Sequence, residues 1–186
     1  MKIAAIDRRV AEPLRFAGDF LFLVLIVATG ASFAAAGAVG GAGENFVDET
    51  LANGLRVTIV SDPSLPVMAT RVWYHIGSAD EDPQHRGFAH LFEHLMFGGT
   101  AKHPKEAYWQ WHTSHGGYNN AHTAFDETVY ESDIPSEAFP AVLDFEADRM
   151  LNLALNEDNL ANEKKIVTEE LRLRNENSPE ARLYII

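Results

Sequence analysis

Cysteine is absent from all 186 residues. That absence excludes a disulfide framework, a thiol nucleophile and the zinc fingers and ribbons built on thiolates. Positive charge is scarce as well: 15 Lys and Arg stand against 27 Asp and Glu, for a net charge of −12. A balance of that sign argues against nucleic acid as a partner, because phosphate binding needs a basic surface. Neither an internal repeat nor a low-complexity tract follows Gly43. What is present is ordinary in bulk. Hydrophobic residues make up 46% and charged residues 23%, enough to build a core, and the length suits roughly one domain. Eight histidines direct attention to metal ligands.

The N-terminus has its own pattern. Lys2, Arg8, Arg9 and Arg15 precede the apolar run FLFLVLIVAT from Phe20 to Thr29. Small residues follow, with A-x-A sites such as Ala34-Ala35-Ala36. A basic region, a short apolar core and small residues near a cut describe a secretory signal peptide, here over residues 1–36. A retained membrane anchor is the alternative, since the charge-free stretch from Phe20 to Gly43 is long enough to span a bilayer. Both place the remainder outside the cytoplasm, periplasmic or secreted, with membrane contact only through this segment. Residues 37–47 then read as a linker, and residues 48–186 as the single domain, with the first forty residues outside its fold.

Periodicity supplies a coarse secondary structure. Leu55 to Val60 alternates and is β-branched, so it reads as a strand, as do Met68 to Ile76, Tyr118 to Phe125 and Glu127 to Ile134. Helices are expected over Gly87 to Phe97, Pro104 to Thr113, Ser136 to Leu153 and Asp158 to Asn175. Gly77 to Gln84 is an acidic loop. Strands and helices cluster rather than alternate, which predicts an α+β fold with a mixed or antiparallel sheet packed by helices.

The sharpest pattern is His90-Leu-Phe-Glu93-His94. On a helix, positions i, i+3 and i+4 share one face, so His90, Glu93 and His94 converge. Two imidazoles one turn apart can reach a single Zn²⁺, with the carboxylate beside them to handle protons. The other positions of this helix are apolar nearly all round, which predicts burial. Buried ionisable groups without partners are costly, and a metal resolves that cost. A catalytic zinc takes three protein ligands and keeps one position open. With no cysteine, the third ligand must be His, Asp or Glu. At 100° per residue, Glu163 and Glu170 on the last helix fall within about 20° of each other, amid Leu160, Ile166, Val167, Leu171 and Leu173. Glu169 falls outside that stripe. Glu170 is the expected third ligand, and Glu163 a neighbouring group that orients a ligand or the water. His75, His85, His103, His112, His115 and His122 lack any such pattern and read as surface or structural. Tyr108, Trp109 and Trp111 read as core.

An HxxEH motif followed by an acidic ligand some distance on resembles the pitrilysin/insulinase family of zinc metallopeptidases, which includes mitochondrial processing peptidase. The resemblance extends through LANGLRVTIV, VWYHIGSADE, RGFAHLFEHLMFGGT, GGYNNAHTAFDETVY, LDFEADRM and NEKKIVTEELRLRNEN, from Leu51 to Pro179. It aligns Glu170 with the family's zinc ligand and Glu163 with its second glutamate. It implies an α/β roll, one zinc per chain, and peptides or unfolded proteins as substrates. It further implies that Glu93 is the general base, and that Asn120 and Ala121 lie on a strand edge that pairs with substrate backbone. The family pattern also includes a homologous second half, on the same chain or a partner subunit. This sequence stops at Ile186, short of the end of the first half, and so reads as truncated. The expected function is zinc-dependent endopeptidase. The competing expectation is a partner-dependent or inactive subunit that binds zinc and peptide without efficient turnover.

Overall fold

Alternation in the sequence dictates how the sheet divides its residues between two faces. A computed structural model describes residues 22–28, 46–62 and 64–177. Six strands form one sheet: β1 (Phe22–Ala28), β2 (Phe46–Thr50), β3 (Arg56–Ser61), β4 (Val67–Tyr74), β5 (Tyr118–Thr123) and β6 (Thr128–Pro135). Their spatial order is β2-β3-β1-β4-β6-β5. β1 runs parallel to β3; all other neighbours are antiparallel. The register sets Val72 opposite Tyr130 and Ala121 opposite Tyr130. Because side chains alternate, Met68, Thr70 and Val72 of β4 and Tyr130, Ser132 and Ile134 of β6 point to one buried face. Arg71, Glu131 and Asp133 share the other face, where Arg71 Nη1 lies 2.6 Å from Asp133 Oδ1 across the strands.

Among the described residues four α-helices complete the fold: α1 (Phe88–Leu95), α2 (Ala107–Ser114), α3 (Phe139–Asn152) and α4 (Glu157–Asn177). Met68, Val72, Tyr130, Ile134 and Val142 of α3 form the main core. The molecule is therefore α+β, with a mixed and mostly antiparallel sheet packed by helices, as the clustering of elements in the sequence predicts. Among the described residues no helix is long and apolar enough to cross a membrane.

Several expectations are corrected. The segment read as lying outside the fold contributes β1, inserted between β3 and β4. A run of aliphatic and β-branched residues suits a strand between two open edges as well as it suits an export signal. The basic region and the A-x-A sites of the expected signal lie outside the described residues. β2 begins within the expected linker. The helix expected from Pro104 begins only at Ala107, because Glu106 adopts a left-handed φ of 73°. A 3₁₀ turn at Ser136–Ala138 precedes α3, whose first turn accepts Pro140. α1 is not buried all round: Phe88 and Phe92 are 47% and 46% exposed. Nor is the apolar stripe of α4 buried, since Leu160, Ile166, Leu171 and Leu173 all face outward. Trp109 is exposed, whereas Tyr108 and Trp111 pack on Phe145.

Two polar assemblies pin the helices. On α3, buried Arg149 makes a forked contact with Glu146, its Nη2 lying 2.6 Å from both carboxylate oxygens. Tyr108 donates to Glu146 Oε1 at 2.9 Å. The guanidinium also sits over the rings of Tyr130 and Tyr108, 4.4 and 4.9 Å from their centroids, a favourable cation–π arrangement. The second assembly is the loop from Gly98 to Glu106. Thr100 donates its hydroxyl to buried Asp148 and accepts the backbone N–H of Lys102 and His103. Lys102 and His103 both reach Asp144 of α3, the latter at 2.9 Å.

These assemblies have measurable consequences. Glu146→Ala strands the Arg149 charge in the interior, so denaturant unfolding should show a loss of about 3–5 kcal/mol. A loss under 1 kcal/mol would show that the pair contributes nothing of that kind. At Asp144, the bond from Lys102 holds the carboxyl below its usual range. Its folded pKa is thus lower than its unfolded one, near 3.9, and the linked stability is present above that value and fades as pH falls through the folded pKa. The pair is half exposed, which limits the effect to about 1 kcal/mol or less. Asp144→Asn should therefore melt below the parent at pH 7, with the gap narrowing as pH falls below about 4. A pH-independent gap would refute the linkage.

Candidate metal centre

α1 is aimed by its first turn. Gly87, at φ 91°, turns the chain into the helix, a conformation that costs glycine little. Glu81, from the acidic loop, accepts the backbone N–H of Gly87 at 2.7 Å and of Ala89 at 2.8 Å. A carboxylate at a helix N-terminus meets unpaired donors and the positive end of the dipole. The same loop is tied to the turn after β5, where Ser78 and Ala79 donate to the carbonyls of Ala124 and Phe125. Gly77 permits that approach, because a Cβ there would lie 2.5 Å from the Phe125 backbone. One loop thus fixes both α1 and the end of β5. Leu91, Leu95 and Val167 then join α1 to α4 in a small apolar cluster.

Spacing on the two helices does the rest. His90 and His94 stand one turn apart on α1. On α4, Glu163 and Glu170 flank Val167 on the side that meets α1. His90 Nε2 and His94 Nε2 are 3.3 Å apart, and Glu170 Oε2 lies 3.6 Å from the first and 3.8 Å from the second. Among the described residues these three form the group able to hold a metal ion. Ligands bonded to zinc at about 2.0–2.2 Å in a tetrahedron stand roughly 3.3–3.6 Å apart, so the triangle fits such an ion. His90 and His94 are about one-fifth exposed, which leaves the group accessible from one side. Burial lowers the pKa of His90, keeping the imidazole neutral and its lone pair available. Glu169 faces away and pairs with Arg172.

The remaining predicted residues take distinct places. Glu93 is on the same helix as the histidines, and the Thr123 hydroxyl of β5 donates to its Oε2. Glu163 is buried (6% exposed). Its Oε2 faces His94 Nδ1 at 3.5 Å, and its Oε1 accepts from Lys105 Nζ at 2.8 Å. Asn120 and Ala121 are on β5, which ends the sheet among the described residues. Ala121 shares the inward face with Thr123, while Asn120 stands opposite Glu131 on the outward one. His112 is a buried structural histidine: Nδ1 bonds the Tyr108 carbonyl at 2.7 Å and Nε2 bonds Ser132 Oγ at 2.6 Å. Sequence reasoning missed Glu81, Lys105 and Thr123. Alternation along β5 could have placed Thr123 on the inward face. No local signal marks Lys105, whose partner lies 58 residues away.

Comparison with known proteins bears on the family. The sequence profile of Insulinase (Peptidase family M16) matches residues 56–184. Insulin-degrading enzyme of Bos taurus is 40% identical over 95 residues, covering 50% of this chain and 9% of the relative. Zinc protease PqqE of Helicobacter pylori is 35% identical over 136 residues, covering 73% of this chain and 31% of that protein. Among solved structures, a protease from Helicobacter pylori superposes with a TM-score of 0.71 at 34% identity, covering 75% of this chain and 33% of that one. The first half of the periplasmic protease PqqL from Escherichia coli superposes with a TM-score of 0.64 at 28% identity, covering 70% and 30%. The chain thus spans between about a tenth and a third of the length of these relatives. With the profile covering more than half of its residues, the chain belongs to the insulinase family, peptidase family M16.

Proposed function

We propose that this chain carries the metal site of a zinc-dependent endopeptidase. The observation that carries the reading is the triangle of His90 Nε2, His94 Nε2 and Glu170 Oε2, with edges of 3.3–3.8 Å. The donor set of two imidazoles and a carboxylate, without thiolate, is that of hydrolytic zinc sites. His90, His94 and Glu170 would hold the zinc, which would supply a water of lowered pKa and a Lewis acid for a carbonyl. Glu93, on the same face, takes the proton from the attacking water and returns it to the leaving amine. Thr123 holds that carboxylate in place by donating to it. Glu163 faces the far nitrogen of His94 and keeps that ring oriented. The edge of β5, with Asn120 and Ala121, offers backbone groups on which an extended peptide can pair.

A second reading rests on length. The relatives are three or more times longer than the stretch they share with this chain, which supports a partner-dependent or inactive form that binds zinc and peptide and turns over efficiently only beside a homologous second half or partner subunit. Peptidase activity that arises only on mixing with such a partner supports that form. The resemblance to a periplasmic protease and the N-terminal pattern support export. Fusion of residues 1–47 to a reporter should send it out of the cytoplasm, and a reporter that stays inside refutes that part.

The site is tested by metal analysis after dialysis. Glu170→Gln should lose zinc while Glu169→Gln keeps it; the reverse result removes Glu170 from the ligand set. Glu93→Gln should keep zinc and lose hydrolysis by about 100-fold or more, measured with any required partner present. Undiminished hydrolysis would sink the assignment of Glu93.

A further inference from the structure

Glu163 is the most enclosed carboxylate next to the metal triangle, yet its contacts are few. Oε1 accepts from Lys105 at 2.8 Å and from Asn162 at 3.4 Å; Oε2 faces His94 Nδ1 at 3.5 Å. A carboxylate this buried needs a compensating cation, and Lys105 supplies it. The two oxygens are thereby divided, one to the ammonium and one to the imidazole.

The position of Lys105 is imposed by its loop. Glu106, the next residue, is the single non-glycine with positive φ among the described residues, at 73°. Such a conformation persists only where the surroundings enforce it, and it is most common at functional sites. Gly99, at φ 85°, lets residues 103–105 fold back, since a Cβ there would lie 2.4 Å from the Lys105 nitrogen. Thr100 and Asp144 anchor the loop to α3. Gly99 also accepts the backbone N–H of Ala154, just before α4, at 2.9 Å. The loop that carries Lys105 therefore touches the approach to the helix that carries Glu163 and Glu170.

We propose that Lys105 is a positioning residue of the metal centre: it holds Glu163 so that the free oxygen faces His94 Nδ1 and leaves His94 Nε2 free to bind metal. The inference rests on the zinc reading above. A carboxylate facing Nδ1 favours the tautomer with its proton there, and only that tautomer presents a lone pair at Nε2. Lys105 itself touches neither metal nor substrate.

The direction of one effect separates this role from plain electrostatics. Removing a positive charge near the site would, through relief of Coulomb repulsion alone, tighten binding of a cation. Loss of orientation would weaken it. Zinc affinity of the full chain is measured by competition with a coloured chelator, for the parent, Lys105→Met, Lys105→Arg, Glu163→Gln and the double variant Lys105→Met/Glu163→Gln. Lys105→Met should bind zinc roughly 3–10-fold more weakly, somewhat less than loss of a direct outer-sphere partner. Lys105→Arg should recover most of the affinity, and Lys105→Met should add nothing in the Glu163→Gln background. Lys105 is nearly half exposed, and thermal melts of the metal-free chains check that the variants fold. Lys105→Gln serves the same test should the methionine variant fail to fold. Unchanged or tighter binding in Lys105→Met overturns the inference, as does an equal loss in the Glu163→Gln background. A parent chain that binds no zinc overturns this inference together with the zinc reading, whereas a parent that binds tightly with an indifferent Lys105 overturns this inference alone.

Discussion

The contact between α1 and α4 is the constraint on which the site depends. α1 carries two imidazoles and a carboxylate within one and a half turns, and α4 must bring a further carboxylate to them. Leu91, Leu95 and Val167 hold the two helices together, and each such side chain contributes about 1.5–3 kcal/mol on full burial. That is a small apolar seam for a long helix. The exposed Leu160, Ile166, Leu171 and Leu173 lie outside that buried cluster. Val167 is placed where it matters, between Glu163 and Glu170. A shift of α4 by one residue would rotate both acids about 100° away from the histidines.

A thin seam explains why so much polar structure surrounds the site. Glu81 fixes the start of α1, the Thr100–Asp148 and Asp144 contacts fix the loop that follows it, and the Tyr108–Glu146 bond ties α2 to α3. Each of these bonds restricts how one element can slide on another. Directional contacts do this better than aliphatic ones, whose attraction changes little with small displacements. The cost is buried charge, which is met by pairing, Arg149 with Glu146 and Glu163 with Lys105, or by neutral donors, as Thr100 and Asn152 serve Asp148.

Much of this could be read from the sequence, for reasons that can be named. The fold class followed from clustered strands and helices, and four of the strands from alternation. His90, Glu93 and His94 were legible because helical spacing is local. Glu163 and Glu170 were legible because both fall on one face of one helix, although the apolar stripe invoked to locate that face turned out to be solvent-facing apart from Val167. What could not be read is non-local. The Lys105–Glu163 bond spans 58 residues, and the left-handed Glu106 that shortens α2 has no compositional mark. β2 was missed because Phe46–Thr50 is short and mostly exposed. β1 was missed for the opposite reason: its sequence matched a strong alternative pattern.

The place of β1 in the sheet has a temporal consequence. In the sheet, β1 separates β3 from β4, so their backbones stand roughly 10 Å apart, two strand spacings. The backbone groups along both inner edges are satisfied only while a strand occupies the gap. β3 and β4 can therefore join into a single sheet only once residues 22–28 have taken their place between them, so the strand nearest the N-terminus sets the moment at which the two parts of the sheet become one.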